Sequence, residues 1–160
     1  MTIRGEQESL VTKTRTILDK IYDAWRDHDL ERLASYLPDE FSHMIHIPQD
    51  VHPLGGMCRG KKAALERLSL IFTQFDSLRL DPSEAVIDPD TAAVEIQIHC
   101  RHKETGQSLE SVKTNFWTLE AGWPVSLAEY YDIAGFRAFM SAVATNPRPD
   151  RAHPPSPSGL

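Results

Sequence analysis

A carboxylate, an imidazole and a primary amide could meet one small molecule in the folded chain: Glu129, His46 and Asn115. Glu129 lies in VSLAEYYD, where a period of two puts Leu127, Glu129 and Tyr131 on a single strand face. Turned inward among apolar side chains, its carboxyl would have a raised pKa and could serve as general acid or base. Turned outward, it is a surface ion-pair partner. Asn115 shares one face of SVKTNFWTL with Lys113 and Trp117, while Val112, Thr114 and Phe116 take the other. Its amide NH₂ can donate to a developing oxyanion, or it is an ordinary polar strand residue facing water or a partner subunit. His46, in HIP, can pass a proton near neutral pH as a neutral imidazole, or it is a satisfied structural histidine. Trp25 and Trp117 offer flat apolar walls for a pocket and equally suit a core.

Other chemistry finds less support. His43 stands three residues before His46 and faces the opposite side of a regular strand, so the two make no metal pair. Cys58 and Cys100 fall outside any CxxC spacing, and no metal or other cofactor is expected. Asp132 opens a helical pattern and reads most simply as its N-cap. The formal charge is −6, from 17 Lys+Arg and 23 Asp+Glu, with no long block of either sign. That argues against nucleic acid and against an anionic membrane surface as partners. A polar N-terminus, no run of 18 apolar residues and two unpaired cysteines give the expectation of a cytoplasmic protein.

These side chains need elements to position them. Leu10, Val11, Ile17, Leu18, Ile21, Tyr22 and Trp25 recur at helical spacing. Asp29 caps a second, short helix carrying Leu30, Leu33 and Leu37, which Pro38 stops. FSHMIHIP alternates as a short strand, and QDVHPLGGMCRG, rich in turn formers, reads as a loop that could line an entrance. A third helix follows Gly60, with Ala64, Leu65, Leu68, Ile71, Phe72 and Phe75 as its apolar stripe. From Ser77 the period becomes two: Leu78 and Leu80, then Val94, Ile96, Ile98 and Cys100, as half-exposed antiparallel strands. ETGQ and AGWP join successive strands as hairpin turns, and IAGFRAFMSAV forms a last short helix. Residues 1–145 thus read as one α+β domain, with 41% hydrophobic residues to build a core. Residues 146–160, holding five of the 11 prolines, read as a disordered tail.

The segments YDAWRDHDLERLASYLPDEF, HIPQDVHPLGGMCRGKKAAL, NFWTLEAGWPV and EYYDIAGF resemble successive signatures of the SnoaL-like branch of the nuclear transport factor two superfamily. That superfamily includes ketosteroid isomerases, polyketide cyclases, dehydratases, epoxide hydrolases and small-molecule binders. The resemblance implies a cone-shaped, curved antiparallel sheet wrapped around N-terminal helices. It puts Asn115 and Trp117 inside, Asn115 where the isomerases carry the protonated acid of their oxyanion hole, and Tyr131 near the ligand. His46 resembles a histidine found after the first strand in many such sequences. The isomerases' general-base Asp falls on Ile45, or on His46 with a one-residue slip, and their oxyanion tyrosine falls on Ile21 with Tyr22 adjacent, so steroid isomerisation is expected to be poor.

The candidate site is therefore His46, Glu129 and Asn115 as catalytic groups, with Trp25, Tyr22, Trp117 and Tyr131 holding the substrate. The expected function is binding of a small hydrophobic organic molecule, with isomerisation, cyclisation or dehydration by proton transfer. The alternative is a non-catalytic ligand-binding or dimerisation module. A homodimer is expected through the outer sheet face carrying Glu95, Gln97, His99 and Arg101.

Overall fold

The computed structural model describes residues 2–146 of the chain, so the expected tail lies, apart from Asn146, outside the described residues. Helix α1 (Ile3–Arg26) starts at Thr2, whose side chain accepts from the Gly5 amide, and it buries Ile17, Leu18, Ile21, Tyr22 and Trp25 along one stripe. Asp29 caps α2 (Leu30–Ser35) by accepting from the Arg32 amide. Strand β1 (Ser42–His46) follows.

The segment read as an uninterrupted loop closes with a strand. Gly56–Arg59 forms β2, an antiparallel edge strand on β1 that pairs Cys58 with His43. At four residues it is too short to show a period. Helix α3 (Lys61–Gln74) ends one residue before the expected stripe does, and Phe75 opens β3 (Phe75–Pro82).

The sheet continues through β4 (Val86–Ile87), β5 (Thr91–His102), β6 (Ser108–Glu120) and β7 (Trp123–Tyr131). Ala121 and Gly122, both at positive φ, turn β6 tightly into β7. Asp132 caps α4 (Ile133–Thr145) through the Gly135 amide.

Seven strands form one curved, unclosed sheet in the order β2-β1-β7-β6-β5-β3, with β4 also on β5. Every pairing is antiparallel except one: β1 runs parallel to β7, which makes the sheet mixed rather than wholly antiparallel. A parallel neighbour needs a long connection, and α3 with the meander supplies it. That pairing carries His43 and Ile45 beside Leu127 and Glu129, from opposite ends of the chain.

The helices and the inner sheet face bury two apolar clusters. One joins α1, α2 and α3 to β5, β6 and β7. The other joins α4 to Ile45, Ile47, Val51 and Phe75. The seam between them is where the chain leaves space.

Candidate functional site

A cavity of about 100 Å³ occupies that seam, with exposed Arg79 and half-buried His99 in its lining. Its walls are mostly apolar: Trp25 from α1, Ile71 and Phe72 from α3, Ile45 and Ile47 from β1 and its exit, Phe75 and Leu80 from β3, and Phe136 from α4. Lys113, Glu129 and Tyr131 form its polar inner end. A space of this size is of the order that holds a single aromatic ring.

Register builds the inner end. On β6 and β7, Lys113 lies opposite Tyr131 and Asn115 opposite Glu129, so Lys113 and Glu129 are diagonal neighbours on the inner face. Lys113 Nζ donates to Glu129 Oε1 at 2.5 Å, and His43 Nε2 meets Glu129 Oε2 at 2.6 Å. Because an ionised carboxylate only accepts, His43 carries its hydrogen on Nε2, and its Nδ1 is buried without a partner. Tyr131 Oη reaches the same Oε1 at 3.5 Å, and the ammonium lies 4.8 Å from the centre of the Trp25 ring.

Burial by itself would push the Glu129 carboxyl up, but the Lys113 charge and the His43 hydrogen bond outweigh it and hold the group down at about 2. The raised pKa expected for an inward Glu129 is therefore reversed. The carboxylate has company that its own strand does not reveal. Burial and the neighbouring carboxylate push the Tyr131 phenol well above its usual range, so it faces the cavity as a neutral donor.

A third element fixes the site from outside. Arg67 of α3 is 6% exposed and donates to the carbonyls of Leu54 and Gly56 and, at 2.6 Å, to that of His43. It ties the 49–56 loop and β1 to α3. His52 closes the same loop, bonded through Nε2 to Gln74 and accepting at Nδ1 from the Leu54 amide. Gly55 is obligatory there, since a Cβ would collide with the Ile47 carbonyl. The loop lines the cavity through His52, Leu54 and Gly55.

The residues singled out from sequence part into three places. Glu129, Tyr131 and Trp25 line the cavity. Asn115, Trp117 and Tyr22 are buried together beside it: the Asn115 amide and the Trp117 indole N–H both donate to the Tyr22 phenol oxygen, at 2.9 and 3.0 Å. Burial pushes that phenol up. None of these three lines the cavity, so Asn115 donates to a protein oxygen rather than to a ligand. His46 lies on the outer sheet face, half-buried, stacked on Tyr130 with ring centres 4.1 Å apart. Ile45, where the isomerase base would fall, lines the cavity.

His43 and Lys113, the partners of Glu129, were not among the candidate site residues drawn from the sequence. The signal for His43 was its neighbours, because Phe41, His43, Ile45 and Ile47 alternate on one buried face. Among the described residues no three His, Cys, Asp or Glu side chains gather as a metal site would need.

Comparison with known proteins came to the same fold. Residues 18–130 match the SnoaL-like domain family. No curated protein sequence matches the chain. Among solved structures, a candidate isomerase from Rhodopseudomonas palustris superposes with a TM-score of 0.72 at 21% identity, covering 79% of this chain and 96% of that one. An NTF2-like protein from Burkholderia xenovorans gives 0.71 at 19%, covering 81% and 97%. A candidate polyketide cyclase from Xanthomonas campestris gives 0.67 at 14%, covering 82% and 98%. At these identities the likeness is one of fold.

Proposed function

The chain belongs to the SnoaL-like domain family, and on that premise we propose that it encloses a small, mostly apolar carbonyl compound and moves a proton on it. One observation carries this reading. Glu129, 1% exposed, faces a cavity with one oxygen on Lys113 and the other on His43. In the proposed step Glu129 takes a proton from the carbon beside a ligand carbonyl, and the electron pair of that C–H bond moves onto the carbonyl oxygen. Lys113 Nζ and Tyr131 Oη donate to the oxyanion so formed. Return of the proton to another carbon completes an isomerisation.

Lys113 keeps Glu129 a weak base at rest. As the ammonium turns toward the new oxyanion, burial regains its influence and Glu129 becomes more basic when a base is needed. Neighbours named as an isomerase and a polyketide cyclase agree with proton chemistry of this class.

The test is exchange of α-hydrogen for deuterium, followed by NMR, in phenylacetone and phenylpyruvate, two one-ring ketones. Wild type should accelerate exchange in at least one of them, and Glu129→Gln should lose about 10²- to 10⁴-fold. Equal rates in the two proteins would overturn the role of Glu129. Binding of either ketone with no acceleration would leave the second reading, a non-catalytic binding module, which the fully partnered resting carboxylate favours.

The outer sheet face supports a homodimer. Val112, Phe116 and Tyr130 are 43%, 49% and 44% exposed there, a group of apolar side chains that a second copy would cover. A strict monomer by light scattering at high concentration would contradict this. Free Cys58 and Cys100 support a cytoplasmic setting, and among the described residues no helix is long and apolar enough to cross a membrane.

A further inference from the structure

We infer that the molecule taken by this cavity is an anion, a compact carboxylic acid whose carboxylate meets Lys113 and Tyr131 while its apolar body lies against Phe75 and Phe136. The inference rests on the cavity being a ligand site and adds the charge of the ligand. It comes from a count of buried charge.

Two buried cations bear on the inner end, Lys113 in its lining and Arg67 packed behind it, 5% and 6% exposed, and one carboxylate, Glu129, acts electrostatically on both. Arg67 has no carboxylate within ion-pair distance among the described residues. Its partners are backbone carbonyls, and its Nε is buried without any. Counting Lys113, Arg67 and Glu129, the inner end carries one positive charge too many. At the more exposed part of the lining the balance is different, since Arg79 is paired with Asp81 at 2.5 Å and His99 lies 3.6 Å from Glu110. The imbalance thus lies at the buried end, in a chain whose overall charge is −6.

Excess charge away from water is unfavourable unless something offsets it, and one carboxylate would make the inner end neutral. Lys113 has donors to give. Of its three N–H groups one is bound to Glu129, and Tyr131 Oη, at 3.5 Å from the same oxygen, is only weakly engaged. A ligand carboxylate would share the ammonium with Glu129, and Arg67 would balance the sum of two anions and two cations. A cationic ligand meets the opposite situation. It would have to displace Lys113 from Glu129 and would raise the buried charge to two.

Calorimetric titration of the full chain with three molecules of one shape separates the possibilities: phenylacetate, phenylacetamide and 2-phenylethylammonium. In low salt at neutral pH phenylacetate should bind about tenfold or more tighter than the amide, the difference expected for one charge-assisted hydrogen bond. The ammonium should bind weakest. Added salt should weaken phenylacetate alone, and Lys113→Met should remove its advantage. If that variant fails to fold, the wild-type ranking still decides. Amide binding as tight as phenylacetate, or ammonium binding tightest, overturns the anion inference and leaves the cavity a ligand site. Binding of none of the three overturns both.

Discussion

Lys113 and Asn115 stand two residues apart on β6 and point the same way, yet they belong to opposite kinds of polar interior. Asn115 joins Tyr22 and Trp117 in a neutral network sealed into the core. Lys113 joins Glu129, His43 and Tyr131 in a charged one at the edge of a cavity. A neutral network can be sealed because most of its groups exchange water for protein partners at little net cost, Asn115 Oδ1 alone being buried without one. Charges tolerate sealing less well, and these keep one side open. The difference teaches where to look for chemistry: the sealed network specifies the core, and the open one has donors on Lys113 still free to meet a ligand.

The largest expected effect breaks one network and spares the other. Lys113→Met leaves Glu129 buried and unpaired by charge and should cost about 3–5 kcal/mol in urea unfolding. Tyr22→Phe leaves only neutral donors unsatisfied and should cost about 1–3 kcal/mol. The double variant Lys113→Met/Glu129→Leu should recover much of the larger loss. Equal costs for Lys113→Met and Tyr22→Phe would erase the distinction between the networks.

Acid sharpens the comparison further. The folded Glu129 carboxyl lies at about 2, below its ordinary 4.5, so its contribution is fully present above pH 4.5 and is lost as pH falls toward 2. The contribution is on the order of a few kcal/mol. Wild type should therefore lose stability through that window, and the Lys113→Met/Glu129→Leu variant should lose distinctly less, as read by circular dichroism. Nothing in the Tyr22 network titrates there, so Tyr22→Phe should keep the wild-type profile. A double variant as acid-sensitive as wild type would contradict the assignment.

Much of this was legible in the sequence, and the limits have physical causes. Alternation alone put Lys113, Asn115 and Trp117 on one face and Glu129 with Tyr131 on another, and both faces are internal. Caps at Asp29 and Asp132 are local, and they were readable for that reason. The partners of Glu129 were not, because they depend on the β6–β7 register and on a parallel pairing between β1 and β7 spanning more than 80 residues. Resemblance points to His46, although His43 alternates with Phe41 and Ile45, apolar company that points inward. The sign of the Glu129 shift failed for the same reason as its partners, since burial can be read along one strand whereas Lys113 and His43 arrive from two others.

A smaller effect is expected at the loop that covers the charged network. Gly55→Ala should force the 49–56 segment away from Ile47 and cost about 1–3 kcal/mol, with weaker ligand binding and an unchanged Tyr22 environment by NMR. A Gly55→Ala protein with wild-type affinity would show that the loop has no part in the cavity.

The most direct measurement compares the two networks in one assay: α-deuterium exchange of phenylpyruvate by wild type, Glu129→Gln, Asn115→Ala and His46→Ala. The Glu129 variant should lose at least about 10²-fold while still binding the acid. The Asn115 variant, folded, should stay within a few-fold of wild type, and the His46 variant should match it. A Glu129→Gln protein that exchanges at the wild-type rate, or an Asn115→Ala protein that loses as much as Glu129→Gln, would contradict the claim that the charged network is the working site.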